Sequence, residues 1–179
     1  MYMPLPPGIC TDNVWKKVFN HDASGGFFTD KNEVKSKNTY DDAFKLFSFL
    51  DSIDKIPHLE KPYHFKLCYP GLNQHNFPCN EWTQKQNPIK TQALASNTYI
   101  AINITFSSGW TSGIATNTRA NAKNTLLDTT PTVSNWWWAI GAFKSYETDH
   151  TFPGPGVIVS VVELYARKVP AIGNNIIFM

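Results

Sequence analysis

The spacing of hydrophobic residues predicts one helix in the first third of the chain. Near residues 40–54, five apolar side chains recur every three or four positions: Tyr40, Phe44, Phe47, Leu50 and Ile53. That spacing places them on one face of an α-helix. Asn38 or Thr39 can cap its start, and Pro57 ends it. We therefore predict an amphipathic helix near residues 40–54 with its apolar stripe facing the core.

The rest of the chain has the pattern of β-strands. Apolar and polar residues alternate over 63–69 and 99–106, as in half-buried strands. Residues 13–19 read as a first strand and 176–178 as a short last one, whereas 135–143 and 157–165 are apolar on both faces, as in central strands. These strands predict a mainly β fold, an antiparallel β-sandwich or jelly roll. Residues 1–10 form an extended, proline-rich lead-in, and 11–179 form a single domain.

Composition narrows the class of protein. The chain is 42% hydrophobic and 17% charged, which is enough for a core and too little charge for a disordered chain. The net charge is +2 without a basic stripe, so we expect no nucleic-acid partner. No apolar run is long enough for a membrane span. The first eight residues lack the regions of a signal peptide, and we expect a mature portion of a secreted protein.

The three cysteines favour an oxidising, extracellular location. Cys68 and Cys79 bracket a turn-rich stretch that a disulfide would close, although two reduced thiols would also fit the sequence. Cys10 would then be left to link to another chain, in a homo-oligomer or a larger assembly. Asn103 begins a glycosylation sequon, and the strand alternation places it on the outer face.

A search for catalytic chemistry finds no motif. Nucleotide-binding glycine loops, a nucleophile elbow and metal-ligand spacing of histidines are all absent from the sequence. A glycosidase needs two carboxylates, and the candidates outside the predicted helix are Glu81, Asp128, Glu147, Asp149 and Glu163. Residues 30–33 offer oxygen atoms to calcium but lack the remaining features of an EF-hand. We therefore predict no enzyme activity, no metal and no cofactor.

Tryptophan is the most informative residue type. The chain has six, and Trp110 lies in a polar, glycine-containing loop where an indole is hard to bury. An exposed indole can stack on a sugar ring while polar groups bind the hydroxyls. We predict a ligand site formed by Trp110, Trp82 and Asp128, whereas Trp136 and Trp138 are better explained as core.

Two stretches resemble extracellular lectin families. Residues 14–22, followed by Ser24, Gly25 and Gly26, resemble the opening strand and turn of fibrinogen-related and intelectin-like lectins. Residues 161–165 resemble the closing strand of discoidin-type, galactose-binding-like sandwiches. The chain lacks the second cysteine pair and the calcium loop of the first family and the terminal disulfide of the second. The resemblance implies extracellular recognition, and it assigns no binding residue.

The sequence thus supports three hypotheses. The first is an extracellular carbohydrate-binding, lectin-like module that binds a glycan or a cell-surface ligand. The alternative is a structural, adhesive or receptor-binding head that binds protein. A small glycoside hydrolase is the third and needs two facing carboxylates.

Overall fold

A computed structural model describes residues 15–57, 59, 61–72, 79–89, 99–104, 114, 140 and 157–168. Over these residues the chain is mainly β-strand. The strands are β1 (Lys16–Asp22), β2 (Leu46–Ser48), β3 (Tyr63–Cys68), β4 (Asn80–Gln84), β5 (Tyr99–Asn103) and β6 (Val161–Lys168). Helix α1 spans Lys31–Lys35, and short 3-10 helices span Ala23–Gly25 and Leu50–Lys55.

The six strands form one antiparallel sheet in the order β2-β1-β6-β3-β4-β5. Strand β6 is the last of them along the chain, yet it lies between β1 and β3. The predicted mainly β, antiparallel architecture is confirmed, and the sheet is consistent with a β-sandwich. The strands predicted over 63–69 and 157–165 correspond to β3 and β6, and the predicted strand over 13–19 is β1 moved toward the C-terminus. The strands predicted over 135–143 and 176–178 lie outside the described residues, Ile140 excepted.

One face of the sheet forms the core. In β3 the side chains of Tyr63, Phe65 and Leu67 are buried, and in β6 those of Leu164 and its alternate neighbours are buried with them. Leu67 lies opposite Leu164 across the two strands. Strands present successive side chains to opposite faces, so this face must be apolar for the sheet to fold.

The predicted helix near residues 40–54 is wrong. Leu46–Ser48 form β2, which pairs with β1, and only Leu50–Lys55 are helical, in a 3-10 turn. Two side-chain amides stabilise this arrangement. Asn20 Nδ2 donates to the Phe44 carbonyl at 2.8 Å, and Asn38 Nδ2 donates to the Leu46 carbonyl at 2.7 Å. These bonds, with the β1–β2 ladder, satisfy carbonyls that an α-helix would have satisfied internally. Tertiary pairing therefore overrides the helical spacing.

Helix α1 explains the oxygen-rich stretch over 30–33. Asp30 caps the helix, and its Oδ1 accepts hydrogen bonds from the Asn32 and Glu33 amides at 2.6 and 3.1 Å. The Glu33 carboxylate in turn accepts from the Thr29 amide at 2.8 Å and pairs with Lys37 at 2.5 Å. These are the bonds of a helix N-terminus, whose first amides lack intrahelical partners. The carboxylates at 30 and 33 therefore serve the cap.

His21 is a buried core residue. It lies among Phe27 and Phe28, with its ring edge-on to both, and its Nε2 lies 3.2 Å from the Gly26 carbonyl oxygen. Because that oxygen can only accept, Nε2 carries the proton. Burial lowers the pKa of His21 to about 4, against the opposing effects of the Gly26 carbonyl and Asp22. The imidazole is therefore neutral at physiological pH and has a structural role.

We expect the protein to lose stability in mild acid. His21 has a folded pKa of about 4 and an ordinary value of 6.5, so the unfolded chain binds more protons between these values. Its contribution is therefore complete above pH 6.5 and is lost as the pH falls toward 4, by about 2 kcal/mol at pH 5. Burial also lowers the pKa of His64, so His64 likewise lowers the free energy of unfolding as the pH falls. Urea unfolding at pH 7.5 and pH 5 measures the loss. His21→Gln should flatten that dependence, and an unchanged slope in this variant would contradict the assignment.

Candidate binding site

Of the three predicted ligand residues, Trp82 lies within the part of the chain that the structure describes. The prediction of an exposed indole at Trp82 is wrong, because Trp82 is 0% exposed and stacks on Phe65 with ring centroids 5.6 Å apart. Its Nε1 donates to Gln84 Oε1 at 2.8 Å, so even the polar edge of the ring is satisfied inside the core. Trp110 and Asp128 lie outside the described residues.

The predicted cysteine pair is confirmed. Cys68 and Cys79 lie at disulfide distance, with Cα atoms 4.4 Å apart, at the end of β3 and just before β4. The bridge therefore joins two neighbouring strands of the sheet. Cys10 lies outside the described part of the chain.

The predicted glycosylation residue lies on an accessible strand. Asn103 is exposed at the end of β5, opposite Glu81 of β4. Glycosylation of Asn103 stays a prediction. Ile100 and Ile102 on the same strand are 64% and 52% exposed, so the isoleucine side of β5 does not enter the core.

The face of the sheet opposite the core carries charged and aromatic side chains. We call it the polar face, and it consists of Trp15, Lys17, His64, Lys66, Glu81, Glu163, Tyr165 and Arg167. Most of these residues lie at alternate positions of β1, β3, β4 and β6, and all except His64 are partly exposed. A sheet with one apolar and one polar face normally shows the polar face to water. Here the partly exposed polar side chains also bond to one another.

His64 is held between a cation and a carboxylate. Arg167 Nε donates to His64 Nδ1 at 3.0 Å, and His64 Nε2 lies 3.0 Å from Glu81 Oε2. Arginine can only donate, so Nδ1 accepts and Nε2 carries the proton toward Glu81. Burial, followed by Arg167, lowers the pKa of His64 despite the opposing carboxylate. Both ring nitrogens are engaged, so His64 positions its neighbours and is not a free base.

Cations and rings alternate across the polar face. The Arg167 guanidinium lies 4.3 Å from the centroid of the Trp15 ring, and Lys66 Nζ lies 4.6 Å from the same centroid. Lys66 Nζ also lies 4.9 Å from the Tyr165 ring, and Lys17 Nζ lies 5.9 Å from it. All four distances are within the range of cation–π attraction. We call this series, from Arg167 through Trp15, Lys66 and Tyr165 to Lys17, the cation–aromatic ladder.

Glu163 closes the ladder at the Lys17 end. Its Oε1 pairs with Lys17 Nζ at 2.7 Å, and its Oε2 accepts from the Tyr165 hydroxyl at 2.7 Å. Burial raises the pKa of Tyr165, and the Glu163 carboxylate and the charge on Asp42 add to the shift. Tyr165 therefore remains a neutral hydrogen-bond donor.

The polar face brings together two of the carboxylates considered for a glycosidase pair. Glu81 and Glu163 lie on β4 and β6, with β3 between them. Both oxygens of Glu163 are bonded, and one oxygen of Glu81 is bonded to His64. These bonds to neighbouring side chains account for the conformations of both carboxylates.

An open groove lies beside the polar face, at the β1–β2 side of the sheet. It has a volume of about 340 Å³, near the lower end for small-ligand sites. Its lining consists of Lys16, Lys17, Thr39, Tyr40, Asp41, Asp42, Phe47, Phe49 and Ile56. The Tyr40 side chain is 80% exposed, and its ring meets Phe44 edge-on with centroids 5.3 Å apart. We call this the Tyr40 groove.

Sequence reasoning missed the groove because it assigned Tyr40 to the buried stripe of a helix. The chain departs from the predicted helix at the turn that precedes β2. Asn38 has φ of 52°, in the left-handed region that asparagine tolerates better than most residues, and Asp41 Oδ1 accepts from the Ala43 amide at 2.9 Å. A signal was present in the sequence: Asn, Thr and two Asp cluster here, which is typical of a turn.

Comparisons with known proteins found no match among protein families, curated proteins or solved structures. Within the described ranges, no helix is sufficiently long and apolar to cross a membrane. Among the same residues, no group of three or more His, Cys, Asp or Glu side chains is placed to hold a metal ion. The candidate binding site therefore rests on the geometry of the polar face and the Tyr40 groove.

Proposed function

We propose that this protein is an extracellular carbohydrate-binding module whose glycan binds in the Tyr40 groove. The observation that carries the proposal is the exposed Tyr40 ring, which stands at an open groove lined by hydrogen-bonding side chains. A ring that is 80% exposed contributes little to the core, and Phe44 steadies it from one side. Its remaining surface suits the C–H face of a pyranose.

The polar lining of the groove suits sugar hydroxyls. Asp41 and Asp42 supply carboxylate oxygens that accept hydrogen bonds, and Lys16 and Lys17 supply donors. Asp41 is oriented by its bond to the Ala43 amide, and Lys17 by its pairing with Glu163. Side chains fixed before binding lose less conformational entropy when the ligand arrives. An aromatic surface with oriented polar groups is what recognition of a neutral sugar requires.

The cysteine pair supports the extracellular part of the proposal. Disulfides persist in oxidising compartments and are rare in the reducing cytosol. Cys68 and Cys79 lie at disulfide distance, and Asn103, in a glycosylation sequon, is exposed. Both features are compatible with a secreted module.

Replacing Tyr40 by alanine is expected to weaken glycan binding about tenfold, or about 1.4 kcal/mol. The stacking surface is lost, whereas an exposed side chain contributes little to folding. A glycan array identifies the ligand, and calorimetric titration measures the affinities. Tyr40→Phe keeps the ring and should bind within about threefold of the wild type. Ile102→Ala, an exposed apolar change on β5 at the opposite edge of the sheet, is the matched control.

Two outcomes would count against the proposal. Binding that Tyr40→Ala leaves unchanged would place the ligand elsewhere on the protein. No binding to any glycan at millimolar concentration would remove the lectin hypothesis. Circular dichroism of each variant establishes that the fold is intact.

A protein-binding head is the second candidate, and it is favoured by the exposed Ile100 and Ile102 on β5, the outermost strand of the sheet that the described residues form. Edge strands with apolar side chains can pair with another chain. Sedimentation velocity of the wild type and of Ile100→Lys tests this candidate. It is supported if the protein self-associates and the lysine variant is monomeric.

A further inference from the structure

Two cations of the ladder share one aromatic ring. Lys66 of β3 and Arg167 of β6 both lie within 5 Å of the centroid of Trp15. They are diagonal neighbours in the sheet, because His64 lies opposite Arg167 and Lys66 lies opposite Tyr165. Their positive charges repel each other, and partial burial strengthens the repulsion.

The carboxylates of the polar face do not fully compensate these charges. Three cations, Lys17, Lys66 and Arg167, face two carboxylates and a neutral His64, which leaves an excess of one positive charge. Glu163 bonds to Lys17 and Tyr165, and Glu81 bonds to His64. Burial lowers the pKa of Lys66; Arg167 acts in the same direction, and Glu81 and Glu163 oppose it.

Hydrogen-bond donors remain available at the same place. Lys66 Nζ contacts aromatic rings, and within the described ranges no hydrogen-bond acceptor lies against it. Arg167 uses its Nε for His64, while its terminal nitrogens have no acceptor among the same residues. The rings of Trp15 and Tyr165 hold the cations in place, and both side chains are partly exposed. Positioned donors with excess positive charge are the requirements of an anion site.

We infer that Lys66 and Arg167, over the Trp15 ring, form a subsite for the sulfate or carboxylate group of an acidic glycan. This inference rests on the proposed carbohydrate function. Arginine and lysine together offer the fork and the point charge that anionic oxygens bind. The subsite adjoins the Tyr40 groove through Tyr165 and Lys17, since the ladder runs from β3 across β6 to β1. Two strand spacings, roughly 10 Å, separate the subsite on β3 from the Lys17 end of the ladder on β1.

The test compares matched disaccharides on the whole protein. The probes are a sulfated, uronate-containing disaccharide, its desulfated form and a neutral disaccharide of the same linkage, measured by calorimetric titration. We expect the best acidic probe to bind at least tenfold more tightly than the neutral one. Lys66→Gln should remove that preference and leave the affinity for the neutral probe unchanged. Arg167→Gln should do the same, but it also removes a donor to His64.

A charge-matched control separates the subsite from general electrostatics. Lys85→Gln removes one positive charge from an exposed position after β4, and it should leave all three affinities within about twofold. A preference for the sulfated probe alone assigns a sulfate site, and an equal preference for the desulfated uronate assigns a carboxylate site. Either result supports the inference.

Titration with inorganic sulfate makes failure of the subsite distinct from failure of the proposed function. If the disaccharides bind equally, the carbohydrate function stands and the subsite is overturned. If none of them binds but sulfate shifts the Trp15 indole resonance, and Lys66→Gln abolishes the shift, the carbohydrate function fails and the anion site stands. No response to sulfate and no preference for the acidic probes would overturn the inference.

Discussion

Replacing Trp82 by alanine is expected to lower the free energy of unfolding by about 3–5 kcal/mol. The side chain is 0% exposed, stacks on Phe65 and donates a hydrogen bond to Gln84. Its removal leaves a large cavity and a buried amide oxygen that loses one donor. Gln84 Oε1 also accepts from the Ile114 amide at 3.0 Å. Losing the Trp82 hydrogen bond therefore also affects the position of Ile114. Urea unfolding followed by circular dichroism measures the change.

A conservative substitution separates the two roles considered for Trp82. Trp82→Phe keeps the ring stacking and should cost less than alanine, because only part of the volume and one hydrogen bond are lost. Glycan affinity of the folded protein should change little in this variant. An alanine variant of wild-type stability that has lost glycan binding would return Trp82 to the binding site.

Removing the Cys68–Cys79 bridge is expected to lower the free energy of unfolding by about 3 kcal/mol. The two cysteines are 11 residues apart, and closing a loop of this size restricts the unfolded chain by about that amount. The bridge also joins the end of β3 to the start of β4, so its loss removes a covalent link between two neighbouring strands. Chemical unfolding of the double variant Cys68→Ala and Cys79→Ala measures the difference.

A reducing agent offers an independent measurement. Wild-type protein unfolded in dithiothreitol should match the double variant, and Cys10→Ser should unfold like the wild type in the absence of reductant. Equal stability of the oxidised wild type and the double variant would show that the bridge does not stabilise the fold. Mass analysis under non-reducing conditions should find the Cys68–Cys79 pair oxidised.

The strands could be predicted where alternation and burial agree. In β3, apolar residues occupy every second position and the same residues are buried in the core. The segment of β6 was predicted to be apolar and covered on both faces, which is wrong, because its buried residues are the alternate ones Val162, Leu164 and Ala166. The side-chain period of a strand is two, so one apolar face specifies both the element and its register. The same alternation placed Glu163, Tyr165 and Arg167 together on the other face, although their partners on β1 and β3 are distant in sequence.

The region of residues 40–54 was mispredicted because the period of its apolar residues is shared by two arrangements. Leu50 and Ile53 are buried as a helical stripe requires, yet Tyr40 is exposed. A helix of this length is marginal on its own, whereas pairing with β1 buries the residues of β2 in the sheet and turns the preceding residues outward. The Tyr40 groove exists because of this change, so no reading of the helical period could have found it.

The burial of Trp82 also could not be predicted from local sequence. Trp82 follows polar residues and resembles a surface residue in sequence, but its place opposite Phe65 puts it on the core face. Which face a strand residue occupies depends on the neighbouring strand, and that neighbour is chosen by the whole sheet.

The sequence by itself determined the mainly β character and the strands β3 and β6, and it favoured the Cys68–Cys79 pair, since each follows from local strand-forming residues or from a short loop. Only the tertiary structure decided that Trp82 is core, that Tyr40 borders a groove and that Lys66 and Arg167 share the ring of Trp15. These contacts join strands far apart in the chain. Their energies depend on burial and on the charge of distant neighbours, which no local pattern contains.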